Sequence, residues 1–215
     1  SSWLFNDDHI TPSPTYTEFM EASKAIHLYR ETREMPNSWD SGVGFMKEIV
    51  PNQFELTPTA DTRLMGSYPD VIKGWDPEIA VVEGGQIQRM LFRFPMDLLP
   101  ADRRIKSATL ILHSFVDYND TTQSNINIYR VSQPWQEYAT TWRVRTLQDN
   151  WDNAGGDAVG INGQAFLRQG EHAPPYASTL VGELTPGQAV EWDVTDLCRE
   201  WAAGQYVNYG MLVSL

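Results

Sequence analysis

The spacing of apolar positions divides the chain into two textures. Over residues 15–34, Phe19, Ala22, Ile26 and Tyr29 recur at three- and four-residue steps, which places them on one stripe of a helix. Pro14 precedes this stretch, Thr15 and Glu18 have capping-box spacing, and Pro36 closes it. Glu21, Lys24 and Glu31 fall on the other face. A helix of this kind has to cover its stripe, either on the rest of its own chain or on another subunit. Residues 37–44 have the composition of a loop.

From Gln53 onward the period changes to two. Met90, Phe92 and Phe94 share one face of a strand, and Arg89, Leu91 and Arg93 share the other, after a Gly84-Gly85 turn. Residues 105–116 form a longer strand with apolar side chains on both faces, which predicts a central strand covered on two sides. The turn Asn119-Asp120-Thr121-Thr122 leads into a returning strand over 125–131, so the two segments read as a hairpin. A strand over 189–194 carries Val190, Trp192 and Val194 on one side. It runs into helix-start chemistry at Asp193 to Asp196. Leu197, Cys198 and Trp201 form the stripe of a short helix, and Gly204 is placed to end it. Tyr209, Met211, Val213 and Leu215 share a face of a last strand whose alternation is still running at Leu215, as in a polypeptide that continues. Many short strands, few helices and frequent turns predict an all-β antiparallel sandwich. One short helix lies toward its C-terminal side and a helical extension precedes it. The expected division is an extension over 1–52 and a sandwich over 53–215.

Charge and composition narrow the function. Among 215 residues, 28 are acidic and 16 basic, a net charge of −12. Such a chain repels phosphate backbones, which argues against nucleic acid, and attracts metal cations. The single cysteine, Cys198, excludes an intrachain disulfide, and a chain of this length can bury a core without one. No run of 18 apolar residues is present to span a membrane. Ser1-Ser2-Trp3 is not the start of a signal peptide, so the leader of an exported protein would lie outside this sequence. His9, His27, His113 and His172 are scattered. No H-E-x-x-H, G-x-S-x-G or nucleotide-binding loop occurs. Cys198 sits on a buried stripe, as an inert small hydrophobe does. These features predict a protein that is not an enzyme.

Seven fragments in order carry a family resemblance. They are Ala60-Asp61-Thr62, the Arg89–Phe94 strand with Leu99-Pro100 after it, and Ile105-Lys106-Ser107-Ala108-Thr109-Leu110. Next come Val131-Ser132 to Trp135 with Ala139-Thr140-Thr141-Trp142, and Trp151 with Gly155-Gly156-Asp157. The last two are Trp192-Asp193-Val194-Thr195-Asp196-Leu197 with Glu200-Trp201, and Asn208-Tyr209-Gly210-Met211-Leu212. Together they resemble the DNRLRE family of disaggregatase-related repeats, which overlaps with carbohydrate-binding module family 96. One extra Thr interrupts the family's A-T-W segment. The resemblance implies a jelly-roll-like sandwich, secretion, and a role as an accessory module of a longer surface protein or polysaccharide-degrading enzyme. Some relatives bind acidic polysaccharides.

Several residues are candidates for ligand contact. Arg89 and Arg93 either pair with carboxylates or grip an acidic sugar through the guanidinium fork. Residues 148–186 are loop-rich, and there Trp151 and Tyr176 are either exposed stacking residues or aromatics that pin their own loop. Asp61, Asp157 and Asp193 are candidate calcium ligands, since calcium takes several hard oxygens. Gly155-Gly156-Asp157 also reads as a turn that needs positive φ. Trp142, Trp192 and Trp201 lie in apolar-patterned segments and are expected in the core. The expected function is a non-catalytic extracellular or cell-surface module that binds polysaccharide, an acidic glycan included, or attaches a larger surface protein. The alternative is a structural subunit of a cell-surface layer, filament or adhesin, assembled through contacts with copies of itself or with neighbouring proteins.

Overall fold

The computed structural model describes residues 46–76, 87–114, 123–166 and 173–215. The helix expected over 15–34 lies outside the described residues. Ten strands and one α-helix follow in chain order among the described residues. They are β1 (Met46–Val50), β2 (Gln53–Leu56), β3 (Ala60–Met65), β4 (Gln88–Arg93), β5 (Thr109–His113) and β6 (Ser124–Val131). Then come β7 (Ala158–Val159), β8 (Ala177–Val181), β9 (Ala189–Asp193), helix α1 (Thr195–Ala202) and β10 (Met211–Ser214). None of the described helices is long and apolar enough to cross a membrane.

Strands β1 and β2 form a hairpin closed by Pro51 and Asn52, and Asn52 takes φ 69°, which Asn tolerates better than most residues. The main sheet runs β3-β4-β10-β6, with β8 and the short β7 both paired to the far side of β6. All its pairings are antiparallel. Thr62, Leu91, Leu212 and Tyr129 line up across β3, β4, β10 and β6 on one face. The residues between them turn to the other face.

Both faces of this sheet are covered, which is why β4 and β10 are apolar on both sides. On one face β5 and β9 pair with each other, and Leu110, Trp192, Leu197, Cys198 and Trp201 pack on Met90, Phe92, Ile128, Met211 and Val213. The Trp192 indole N–H donates to the Ile126 carbonyl at 2.8 Å and ties the two layers. On the opposite face a loop-rich segment brings Trp135, Trp142, Trp151 and Phe166 onto Leu64, Leu91, Tyr129 and Leu212. Side chains such as Leu91 and Leu212 are fully buried, and each contributes about 1.5–3 kcal/mol.

The all-β sandwich with a short helix toward its C-terminal side is therefore present, and two expectations are corrected. Among the described residues, the segments expected as a hairpin over 105–116 and 125–131 do not pair: β5 joins β9 in one layer while β6 joins β10 and β8 in the other. Nor is β5 covered on both sides, because Thr109 and Ile111 face solvent. Helix α1 ends as expected. Gly204 takes φ 67°, and its N–H reaches the Trp201 carbonyl at 2.9 Å.

Candidate ligand-binding cleft

The end of β9 and the start of α1 are fixed by one carboxylate and one hydroxyl. Asp193 Oδ1 accepts the Thr195 N–H at 2.9 Å, which satisfies an amide at the helix start that the helix itself cannot. The Thr195 hydroxyl accepts the Ala108 N–H at 2.9 Å, locking α1 to the lead-in of β5. Arg199, one turn on, donates from Nε to the Ile105 carbonyl at 3.0 Å and from Nη2 to the Lys106 carbonyl at 2.8 Å. These bonds hold residues 105–108 as one wall of a cleft.

The second wall is the start of β8. Tyr176 donates its N–H to the Ile128 carbonyl at 2.8 Å, and its hydroxyl donates to Glu200 Oε2 at 2.7 Å. Arg130 reaches the same hydroxyl from Nε at 3.4 Å and lies over the Tyr206 ring at 3.7 Å. Burial, and then the bond to Glu200, push the Tyr176 hydroxyl up to about 12. It therefore stays neutral, and Tyr176 lines the cleft.

Between the walls lies an open cleft of about 500 Å³, in the size range of small-ligand sites. Its floor and rim carry Lys106, Ser107, Ser178, Asp193, Asp196 and Arg199. The Thr195 hydroxyl, and then the Thr195 N–H, hold the Asp193 carboxyl below the ordinary carboxylate value, with Arg199 assisting. The exposed pair Arg199–Asp196, at 3.5 Å, adds little stability. Two carboxylates, an ammonium, a guanidinium, hydroxyls and one aromatic ring suit a hydroxyl-rich ligand. Carboxylates accept from ligand hydroxyls, the cations donate, and the ring takes an apolar face.

The candidate residues read from the sequence scatter. Tyr176 and Asp193 come together at this cleft. Trp151 is buried, with 5% of its surface exposed, and donates its indole N–H to the Thr141 carbonyl at 3.0 Å. It pins its loop and is not an exposed stacking residue. Arg89 is a core cation, buried away from any exposed ligand surface. Its guanidinium lies over the Trp142 ring at 5.0 Å and the Phe166 ring at 4.6 Å, and Nη1 donates to the Gly155 carbonyl at 2.7 Å. Arg93 is half-buried, 5.6 Å from the Trp135 ring and 3.5 Å from the Thr59 hydroxyl.

Asp61, Asp157 and Asp193 sit in β3, in the loop before β7 and at the end of β9. Among the described residues no group of three or more His, Cys, Asp or Glu is arranged to hold a metal ion. Asp157 instead accepts the Asp152 and Asn153 N–H groups at 2.7 Å each and the Asn153 side-chain amide at 3.1 Å, which closes its loop. Gly155 and Gly156 take φ 94° and 101°, as the turn reading requires.

Sequence reasoning missed Lys106, Ser107, Ser178, Asp196 and Arg199 as one site. Lys106 and Ser107 meet Asp196 and Arg199 through the β5–β9 register, which sets Thr109 opposite Asp193, and Ser178 joins them from β8. The i,i+3 spacing of Asp196 and Arg199 was the single local signal. A family model described as the disaggregatase related repeat domain matches residues 61–215. Among curated proteins, none matches the chain.

Proposed function

We propose that this chain, which belongs to the disaggregatase related repeat domain family, binds polysaccharide outside the cell or at its surface. Membership of a repeat-domain family fits a non-catalytic module. The observation that carries the finer reading is the cleft beside α1, where carboxylates, cations, hydroxyls and the Tyr176 ring surround a ligand-sized space. Its charged groups balance, two acids against two bases, so the site suits a chain of hydroxyls and accepts a glycan carboxylate at Lys106.

Native affinity electrophoresis in gels carrying alginate, polygalacturonate, chondroitin or a neutral β-glucan tests this reading. The full chain is expected to be retarded by at least one polymer. Ser178→Trp, which fills the cleft, and Lys106→Glu are expected to weaken that retardation at least fivefold. Equal retardation of both variants and the parent, or no retardation in any gel, removes the reading.

Assembly through protein contacts is the second reading. Its support is the β1–β2 hairpin, which leaves Ile49 and Val50 about half exposed. Sedimentation showing a monomer at high concentration would remove it.

A further inference from the structure

Beside the β3 edge of the main sheet, the molecule carries an exposed tryptophan on a stiff mount. Trp75 keeps 68% of its surface exposed, whereas the five other described tryptophans are buried. One face of its indole stacks on Tyr138, with ring centroids 3.8 Å apart and planes 26° from parallel. The other face is turned to solvent.

Residues 66–76, which carry it, are tied down at several points. Asp76 pairs with Arg63 at 2.7 Å and with Lys73 at 2.8 Å. Arg143 Nη1 grips both oxygens of Asp70, at 2.8 and 3.1 Å. The Gly66 N–H donates to the Ile87 carbonyl at 2.8 Å. Gly74 lies so close to the Glu137 backbone that a Cβ would come within 2.7 Å of the Glu137 carbonyl carbon. A ring ordered before it binds loses little entropy on contact, and Trp supplies a large area for few rotatable bonds. A loop built so firmly and yet ending in an uncovered indole is the arrangement of a contact residue.

The surroundings select a sugar ring. A pyranose offers an apolar C–H face ringed by hydroxyls. The free indole face takes the first, and the exposed Arg143–Asp70 pair, which ties down the same loop, supplies a donor and an acceptor for the second. This loop covers the β3 edge of the main sheet, since Asp76 holds Arg63 of β3. The Tyr176 cleft adjoins β8, beyond β6 at the other edge. Four strand spacings separate β3 from β8, about 19 Å at ~4.8 Å each. With the width of the sheet between them, they do not form one groove.

We infer that the Trp75–Tyr138 platform is a second polysaccharide contact, separate from the cleft, and that one domain therefore bridges two stretches of polysaccharide. This rests on the reading that the cleft binds polysaccharide. Two tethered contacts raise the affinity for a long polymer well above that of either contact alone.

The experiment compares the full-length parent, Trp75→Ala, Trp75→Phe, Ser178→Trp and the double variant Trp75→Ala/Ser178→Trp. Each is run in affinity gels of whichever of the four polymers retards the parent, and each is mixed with that polymer to follow turbidity from cross-linking. Each of Trp75→Ala and Ser178→Trp is expected to weaken binding at least fivefold and to abolish cross-linking while binding persists. The double variant is expected to migrate freely, and Trp75→Phe, which keeps a ring, to stay within about twofold of the parent. If Trp75→Ala binds and cross-links like the parent while Ser178→Trp releases the polymer, the platform is overturned and the cleft stands. If Ser178→Trp behaves like the parent while Trp75→Ala releases the polymer, the cleft reading fails and two-site bridging fails with it. If the parent dimerises without polymer and Trp75→Ala is monomeric, the platform is a protein contact and the inference is overturned. Far-ultraviolet circular dichroism like the parent's and an unchanged urea-unfolding slope for Trp75→Ala show that the fold is intact.

Discussion

Two glycines at positive φ separate backbone conformation from close packing. Gly204 ends α1 at φ 67°, and a Cβ there would meet nothing within 4 Å. Gly210 precedes β10 at φ 99°, and a Cβ there would press on the Phe92 carbonyl of β4, 2.9 Å from its carbon and 3.2 Å from Arg93 Cα. Its own N–H donates to Asn208 Oδ1 at 3.0 Å and its carbonyl accepts the Val131 N–H at 2.9 Å, so it cannot move without disturbing β6 as well. Gly204→Ala carries only the left-handed conformational cost, about 1 kcal/mol. Gly210→Ala adds the separation of β10 from β4. With ~1–2 kcal/mol of conformation and about 1 kcal/mol for each of two ladder hydrogen bonds, the total is roughly 3–4 kcal/mol. In a chain of this size the expected fall in Tm is ~2–4 °C for Gly204→Ala and roughly 6–16 °C for Gly210→Ala. Urea titration should give lower midpoints at an unchanged slope. Equal losses for the two variants would refute the packing argument, because both share the conformational term.

Three further outcomes test other parts of the structure. Trp192→Phe removes the donor to the Ile126 carbonyl and part of a buried ring, at an expected cost of about 2–3 kcal/mol by urea unfolding; a loss under ~0.5 kcal/mol would mean that the two layers are not joined there. Asp157→Ala takes away the acceptor of three N–H groups. It is expected to cost roughly 2–3 kcal/mol and to speed amide exchange at Asp152 and Asn153, and unchanged exchange contradicts the loop-closing role. For Tyr176 the sign follows from a hydroxyl raised from 10 to about 12. The folded protein keeps that proton after the unfolded chain has released it, so the stabilisation is complete below pH 10 and is lost between pH 10 and 12. Tyr176→Phe should flatten the alkaline fall in the urea midpoint, and parallel curves would rule the coupling out.

How far the sequence reveals the structure depends on whether a signal is local. The two faces of β4 are legible because alternation is a property of adjacent residues, and Arg89 falls on the same face as Leu91 in both readings. The end of α1 is legible because a glycine at φ 67° is a local requirement. The partner of β5 is not legible. Apolar residues on both sides of 105–116 describe a sticky strand and do not say which layer it joins. Its partner β9 lies some eighty residues away. The same limit hid the cleft, whose residues come from the lead-in to β5, from β8 and from α1. Trp151 and Trp75 show the limit most sharply. Both follow loop-like sequence, yet one indole donates to a carbonyl in the core and the other faces water.

The positions of the two contact surfaces follow from how the main sheet ends. A sheet that stays open must have its outer strands covered, because unpaired N–H and C=O groups are otherwise templates for aggregation. At β3 the cover is irregular chain: the Asp61 N–H finds Glu137 Oε1 at 3.4 Å and Arg63 finds Asp76. At β8 the cover is the neighbouring layer, with the Thr179 hydroxyl donating to the Glu191 carbonyl at 2.6 Å. Covering segments are the parts of a sandwich that are fixed on their inner side and free on their outer side. They can therefore carry exposed aromatic and charged groups in a set geometry at no cost to the core. Trp75 and the Tyr176 cleft each adjoin one of these two covers, so a family that varies those segments would change its ligands without changing its fold. Exchange of residues 66–76 for a short glycine-rich turn tests this directly. The exchanged protein should keep the cooperative unfolding of the parent and lose the platform's share of polymer binding, whereas collapse of the fold would show that the cover is part of the core.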